Sequence, residues 1–224
     1  MPNVYLGTTA ITKAELGTTD VTKVYLGSNL IWPSFTPVTI FDTFEAESVP
    51  LYVKTGAELS MDGSVGIAGG FPSAGERTLR RTGAPSELAG DDVYIKAVMG
   101  TNGNQNTSIV FRLNDTYDRY VALNMINGTS YLQRIKPDGS WTDINTGGTS
   151  LTTTAGVTIE ILATAADNRY KVWRNGSLVI NVVDPTPANK GPGYRGVGLR
   201  FTRTGFSNSP RINEMTWADY TNQI

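Results

Sequence analysis

From residue 40 to the end of the chain, apolar and polar positions alternate in short runs separated by turn residues. No stretch keeps a helical period. The clearest runs are SIVFRL (108–113), YVALNM (120–125), YLQRI (131–135), VTIEILA (157–163), YKVW (170–173) and LVINVV (178–183). They are rich in β-branched and aromatic residues, which suit a pleated, half-buried surface. Between them stand Asn127-Gly128, Asp138-Gly139 and Asn175-Gly176, pairs that tolerate the positive φ of tight hairpin turns. Runs about ten residues apart with such turns predict an antiparallel sandwich or barrel. Residues 66–70 and 191–198 are glycine-rich and fit either a loop or a close-packed strand edge.

The first 33 residues carry a different pattern, a repeat with a ten-residue period. YLGTTAITKA starts at Tyr5, ELGTTDVTKV at Glu15 and YLGSNLIWPS at Tyr25. Leu6, Leu16 and Leu26 stack in register, as do Gly7, Gly17 and Gly27, and Ile11, Val21 and Ile31. Gly followed by Thr or Ser is turn chemistry, and the flanking β-branched residues favour extended chain, so the block reads as a small β-meander. Apolar positions within a copy break strict alternation, which predicts a second turn or bulge near Thr12-Lys13. A segment this small buries too little to fold alone. It must pack on the next domain, on copies of itself or on a larger assembly. Pro33 and Pro37 interrupt the pattern, dividing the chain into a repeat segment (1–33), a linker (34–39) and a sandwich (40–224).

Composition narrows the chemistry. With 224 residues, no cysteine and no histidine, disulfides, thiolate nucleophiles, zinc–sulfur sites and the commonest general base are all excluded. A formal net charge of −1 gives no electrostatic reason to expect nucleic acid. The densest cationic group, Arg77, Arg80 and Arg81, reads as a solvated loop. No apolar run reaches the length of a membrane span, and the first residues lack a basic-then-apolar pattern. The expectation is a protein made in a reducing cytoplasm without a secretory signal or membrane insertion.

IFDTFEAE near residue 40, YKVWRNGSLVINVVDPT in the middle, and GVGLRF followed by INEMTWADY at the end resemble the laminin-G/concanavalin-like lectin and glucanase superfamily. That resemblance covers about residues 40–222. It implies an all-β, concanavalin-like antiparallel sandwich (a jelly roll) whose last strand pairs beside its first. KVYLGSNLIWP, Lys23 to Pro33, resembles repeats on minor tail and capsid-decorating proteins of tailed phages, especially those of actinobacteria. This second resemblance implies anchorage to phage capsid or tail proteins at the virion surface, as a clustered homo-oligomer with a trimer favoured. The anchor and assembly residues would be Tyr5, Leu6, Leu16, Tyr25, Leu26, Ile31 and Trp32.

Glucanases of the superfamily use a Glu-x-Asp-x-x-Glu strand to set acid and nucleophile about one glycosidic bond. This motif is absent here. Glu45 and Glu47 are two apart but fall in the opening strand or the turn after it, so no catalytic residue and no cofactor are expected. Asp91 and Asp92 are weak calcium candidates, with a turn or strand-edge charge as the plainer reading. A saccharide asks for an aromatic face ringed by amide and guanidinium groups. If Ile109, Phe111 and Leu113 point inward, Arg112 points out, and the same alternation exposes Tyr120, Asn124, Arg134 and Trp173 on one sheet, with Trp141 on the next loop. Trp217 falls in the last strand as a structural residue. The expected protein is thus a phage virion component that displays a sandwich binding host-surface polysaccharide. A purely stabilising decoration protein without a small ligand, and a glycan hydrolase, stand as alternatives.

Overall fold

The computed structural model describes residues 36–56, 75–101, 103–187, 189–203 and 209–220, together with the strand segments 5–6, 9–10, 15–16, 19–20, 23–26, 29–33, 61–62 and 67–68. Each copy of the repeat pairs with itself. Strand β1 (Tyr5–Leu6) pairs with β2 (Thr9–Ala10), β3 (Glu15–Leu16) with β4 (Thr19–Asp20), and β5 (Lys23–Leu26) with β6 (Asn29–Pro33). The expected meander is therefore corrected to separate two-stranded hairpins among the described residues. The cause is legible in the repeat: a Gly-Thr or Gly-Ser pair separates the strands of each copy, and the broken alternation supports no longer ladder. The third copy carries a register irregularity between Val24 and Tyr25. Thr12-Lys13, and the side chains of Tyr5, Leu6, Leu16, Tyr25, Leu26, Ile31 and Trp32, lie outside the described residues.

The rest of the described chain is two antiparallel sheets of eight strands each. In chain order the strands are β7 (Thr39–Asp42), β8 (Tyr52–Gly56), β9 (Met61–Asp62), β10 (Ile67–Ala68), β11 (Gly75–Arg81), β12 (Val93–Thr101), β13 (Thr107–Leu113) and β14 (Tyr120–Ile126). They continue with β15 (Thr129–Ile135), β16 (Trp141–Asp143), β17 (Thr149–Ser150), β18 (Thr158–Ala163), β19 (Arg169–Arg174), β20 (Ser177–Val183), β21 (Gly196–Arg203) and β22 (Arg211–Asp219). One sheet runs β20-β19-β18-β12-β22-β10-β9, with β7 also on β22; the other runs β16-β15-β14-β13-β21-β11-β8, with β17 on β15. They are called here the β22 sheet and the β14 sheet. The six runs read from alternation all appear as strands. Asn127-Gly128 and Asn175-Gly176 turn with both residues at positive φ, as two-residue hairpins require.

Alternation places one side chain in two between the sheets. Ile95, Ala97 and Met99 of β12 meet Ile109 and Phe111 of β13, and Leu123 and Val121 of β14, in one core. Trp217, fully buried, lies opposite Ile95 on β12 and Ile40 on β7, so the last strand closes against the first. Each fully buried aliphatic side chain of this kind contributes about 1.5–3 kcal/mol.

The arginine group 77–81 is a strand, not a solvated loop. Arg81 is buried, and its guanidinium donates to Asp42 at 3.1 Å; the same Asp42 carboxylate accepts from the Tyr52 hydroxyl at 2.7 Å and from the Phe44 amide at 2.6 Å. This cluster ties β7, β8 and β11 together at one end of the sandwich. Arg80, its neighbour, is paired with Asp115.

Candidate functional site

Between Val110 and Leu113 the pairing of β13 with β21 shifts register, and Arg112 sits at φ 50°. A bulge of this kind inverts the side-chain alternation beyond it. Leu113, expected inward, joins Val110, Tyr120, Ala122 and Ile135 on the outer face, and Tyr117 from the following loop packs over them. Arg112, expected outward, turns into the sandwich instead. It is 2% exposed, donates to the Tyr170 hydroxyl of the opposite sheet at 2.7 Å, and reaches the Asp91 carbonyl at 3.1 Å. Arg112 is thus a bridge between sheets and not a surface ligand residue.

The outer face of the β14 sheet carries a polar stripe that crosses six strands. Register places Thr78 beside Arg200, Arg200 beside Ser108, Ser108 beside Asn124, and Gln133 beside Asp143. The side chains bond in sequence: Ser108 donates to Asn124, Asn124 to Gln133, and Gln133 to Asp143 at 2.7 Å. Arg200 pairs with Glu76 at the far end. Ser108, Asn124 and Gln133 are buried although they face away from the core, so the stripe is recessed between larger neighbours. Alongside it runs the row Tyr120, Ile135, Trp141 on adjacent strands. Trp141 is 59% exposed at the open end of that row, on a short strand and not a loop. Gly198, beside Val110 on the adjacent strand, makes room for the row's other end: a Cβ there would lie 2.8 Å from the Tyr117 hydroxyl and 2.3 Å from the Leu79 carbonyl oxygen.

Tyr120, Asn124 and Trp141 are therefore brought onto one face, and the other three glycan candidates are not. Arg112 is interior. Arg134 lies on the inner side of β15 with Leu132, where its guanidinium pairs with the fully buried Asp184 at 2.9 Å and donates to Thr186 at 2.7 Å. Trp173 points away from the core as alternation required, but β19 belongs to the β22 sheet, so it lies on the opposite face of the molecule. Asp91 accepts from the Arg195 guanidinium at 3.1 Å and from the Gly191 amide, and Asp92 accepts from the Ala165 amide at 2.6 Å. Both hold loops. Among the described residues no three His, Cys, Asp or Glu side chains converge on a metal position. Glu45 and Glu47 are exposed at a 3₁₀ turn, Ala46–Leu51, off the strands.

Sequence reasoning missed Ser108, Gln133, Asp143 and Arg200. Gln133 was within reach: once Leu132 is inward, Tyr131, Gln133 and Ile135 face out. Arg200 joins the stripe through the pairing of distant strands β13 and β21, and Asp143 through that of β15 with the short strand β16, neither of which alternation within one strand reveals.

Two face-to-face antiparallel sheets, closed by pairing of the last strand with the first, define a concanavalin-like β-sandwich. No family model matches the chain, and no curated protein matches it. Solved structures do. The exoplasmic/lumenal domain of VIP36 in a Ca²⁺/Man-bound form superposes with a TM-score of 0.56 at 9% identity, covering 82% of this chain and 90% of that one. The carbohydrate recognition domain of Emp47p gives a TM-score of 0.52 at 13% identity, covering 81% and 94%. At such identities the likeness is one of fold.

Proposed function

We propose that this protein is a non-catalytic saccharide-binding component of a phage particle, with its ligand on the outer face of the β14 sheet. The carrying observation is the recessed stripe Ser108, Asn124, Gln133, Asp143 beside the Tyr120, Ile135, Trp141 row. Amides and a carboxylate aligned at the spacing of successive strands meet the hydroxyls of an extended sugar, and Trp141 offers an exposed ring for a pyranose face. The VIP36 and Emp47p structures, one mannose-bound and one a carbohydrate recognition domain by description, support the ligand class. The virion part of the proposal rests on the ten-residue repeat and its resemblance to tail and decoration proteins. The absence of the superfamily's carboxylate motif supports a binding role without hydrolysis.

The test is retention of the full chain on immobilised cell-envelope polysaccharide from an actinobacterial host, compared with the variants Q133A and W141A. Retention that both variants weaken supports the reading. No retention of the wild type, or equal retention of the variants, overturns the site. Removing residues 1–33 is expected to leave a soluble sandwich that no longer labels virions in micrographs; continued labelling overturns the anchor. A second reading, a decoration protein that binds nothing small, is favoured by one fact: the stripe's side chains already bond one another. Virion half-life on heating, with and without the protein, tests it.

A further inference from the structure

The β22 sheet has an outer face of its own, on the opposite side of the molecule. Its central row crosses the sheet as Phe41, Thr216, Lys96, Glu160, Trp173 and Leu178, each on the strand next to the last. A pocket of about 230 Å³ opens there, lined by Tyr94, Glu160, Leu162, Trp173, Gly176 and Tyr220. The Tyr94 hydroxyl donates to one oxygen of Glu160 at 2.8 Å, which holds the carboxylate in place at the pocket wall. Gly176, at a hairpin tip, adds wall without a side chain, and a Cβ there would meet nothing within 4 Å.

We infer that this pocket is a second saccharide site, distinct from the stripe, taking one neutral pyranose ring against Trp173. Size, lining and charge carry it. The volume falls below the roughly 300 Å³ at which pockets for drug-sized ligands begin, so one ring is the natural occupant. Trp173 supplies a large, half-buried apolar surface with Tyr94 and Tyr220 around it, and Glu160 supplies a fixed acceptor for ring hydroxyls. Lys96 stands beside Glu160 and Lys171 beside Leu162 on the same face. The Glu160 carboxylate offsets one of the two ammonium groups, so the face carries both signs at the pocket. The ammonium groups add N–H donors to ring hydroxyls at the rim.

The two sites are separable by tryptophan signals. The chain has four tryptophans, so the indole N–H resonances of the full chain can be assigned with W141F and W173F. The protein is then titrated with the methyl glycosides of glucose, galactose, mannose and N-acetylglucosamine. The Trp173 signal is expected to shift with at least one of them. E160A should weaken that response roughly tenfold or more, while the Trp141 response stays unchanged. A Trp173 signal that moves with none of the four glycosides overturns the inference, whether or not Trp141 responds. A Trp173 response alone, with Trp141 silent, supports this site and counts against the stripe.

Discussion

Arg112 and Tyr170 meet between the two sheets, guanidinium over ring at 5.3 Å and nitrogen to hydroxyl at 2.7 Å. The contact exists because a bulge turns one arginine of β13 inward, and it joins the middle of the β14 sheet to the β22 sheet through a polar bond. Truncation to R112A leaves the Tyr170 hydroxyl and the Asp91 carbonyl without this donor and opens a void. A loss of about 2–4 kcal/mol in urea unfolding is expected. R112K, with one compact ammonium in place of a planar fork, should recover only part of it.

Stability should fall steeply at alkaline pH. Burial, then the nearby Asp42 carboxylate, pushes the Tyr52 hydroxyl far above the ordinary tyrosine range. Burial does the same to Tyr117, with the Arg80 guanidinium beside it opposing. Folded tyrosines of this kind keep their proton while the unfolded chain loses it above about pH 10. Their contribution is complete below that pH and is lost as pH rises toward the folded values, at about 1.4 kcal/mol per unit for each tyrosine. Urea midpoints between pH 9 and 11 check this. Y52F should make the decline shallower by one tyrosine's share.

Asn124 is the hinge of the polar stripe, accepting from Ser108 and donating to Gln133. N124A strips both neighbours of a partner in a recessed position and should cost about 1–3 kcal/mol in thermal or urea unfolding. The double variant N124A/S108A should cost less than the sum of the single changes, because it removes a bonded pair together.

Gly198 marks where Tyr117 and the Leu79 carbonyl close over the sheet. G198A brings a methyl group into both, so a loss of about 1–3 kcal/mol is expected. Added Y117A should relieve the contact with the hydroxyl but not the one with the carbonyl, and a full rescue would show that the β11–β21 backbone spacing is looser than described.

Trp141 offers the opposite profile. With most of its surface exposed, W141A should shift stability by no more than about 0.5 kcal/mol while weakening saccharide retention. A large drop in melting temperature would show that the ring is structural.

The sequence makes the architecture readable because the strands alternate and the turns carry Asn-Gly. The site is readable only in part. Alternation sets Tyr120 and Asn124 on an outer face, yet it fails at Arg112, since an arginine at positive φ advertises no bulge. It also tells correctly that Trp173 points away from the core without telling which sheet holds it. Those two facts depend on pairing between distant strands, such as β13 with β21 and β12 with β18. Arg81 fails for a related reason: its partners Asp42 and Tyr52 come from strands far away in the chain, and a local reading sees only three positive charges close together.

The pairing of β7 with β22 has one more consequence. Thr39 lies opposite Ala218, and the Asp219 amide donates to the Val38 carbonyl at 2.9 Å, so the sandwich's two ends leave it side by side. A module whose ends meet behaves as a cassette: it can be spliced into a host loop, or its ends joined by a short linker and new ones cut at the Asn127-Gly128 turn. With both connections gathered at one place, neither broad face has to be given up to attachment.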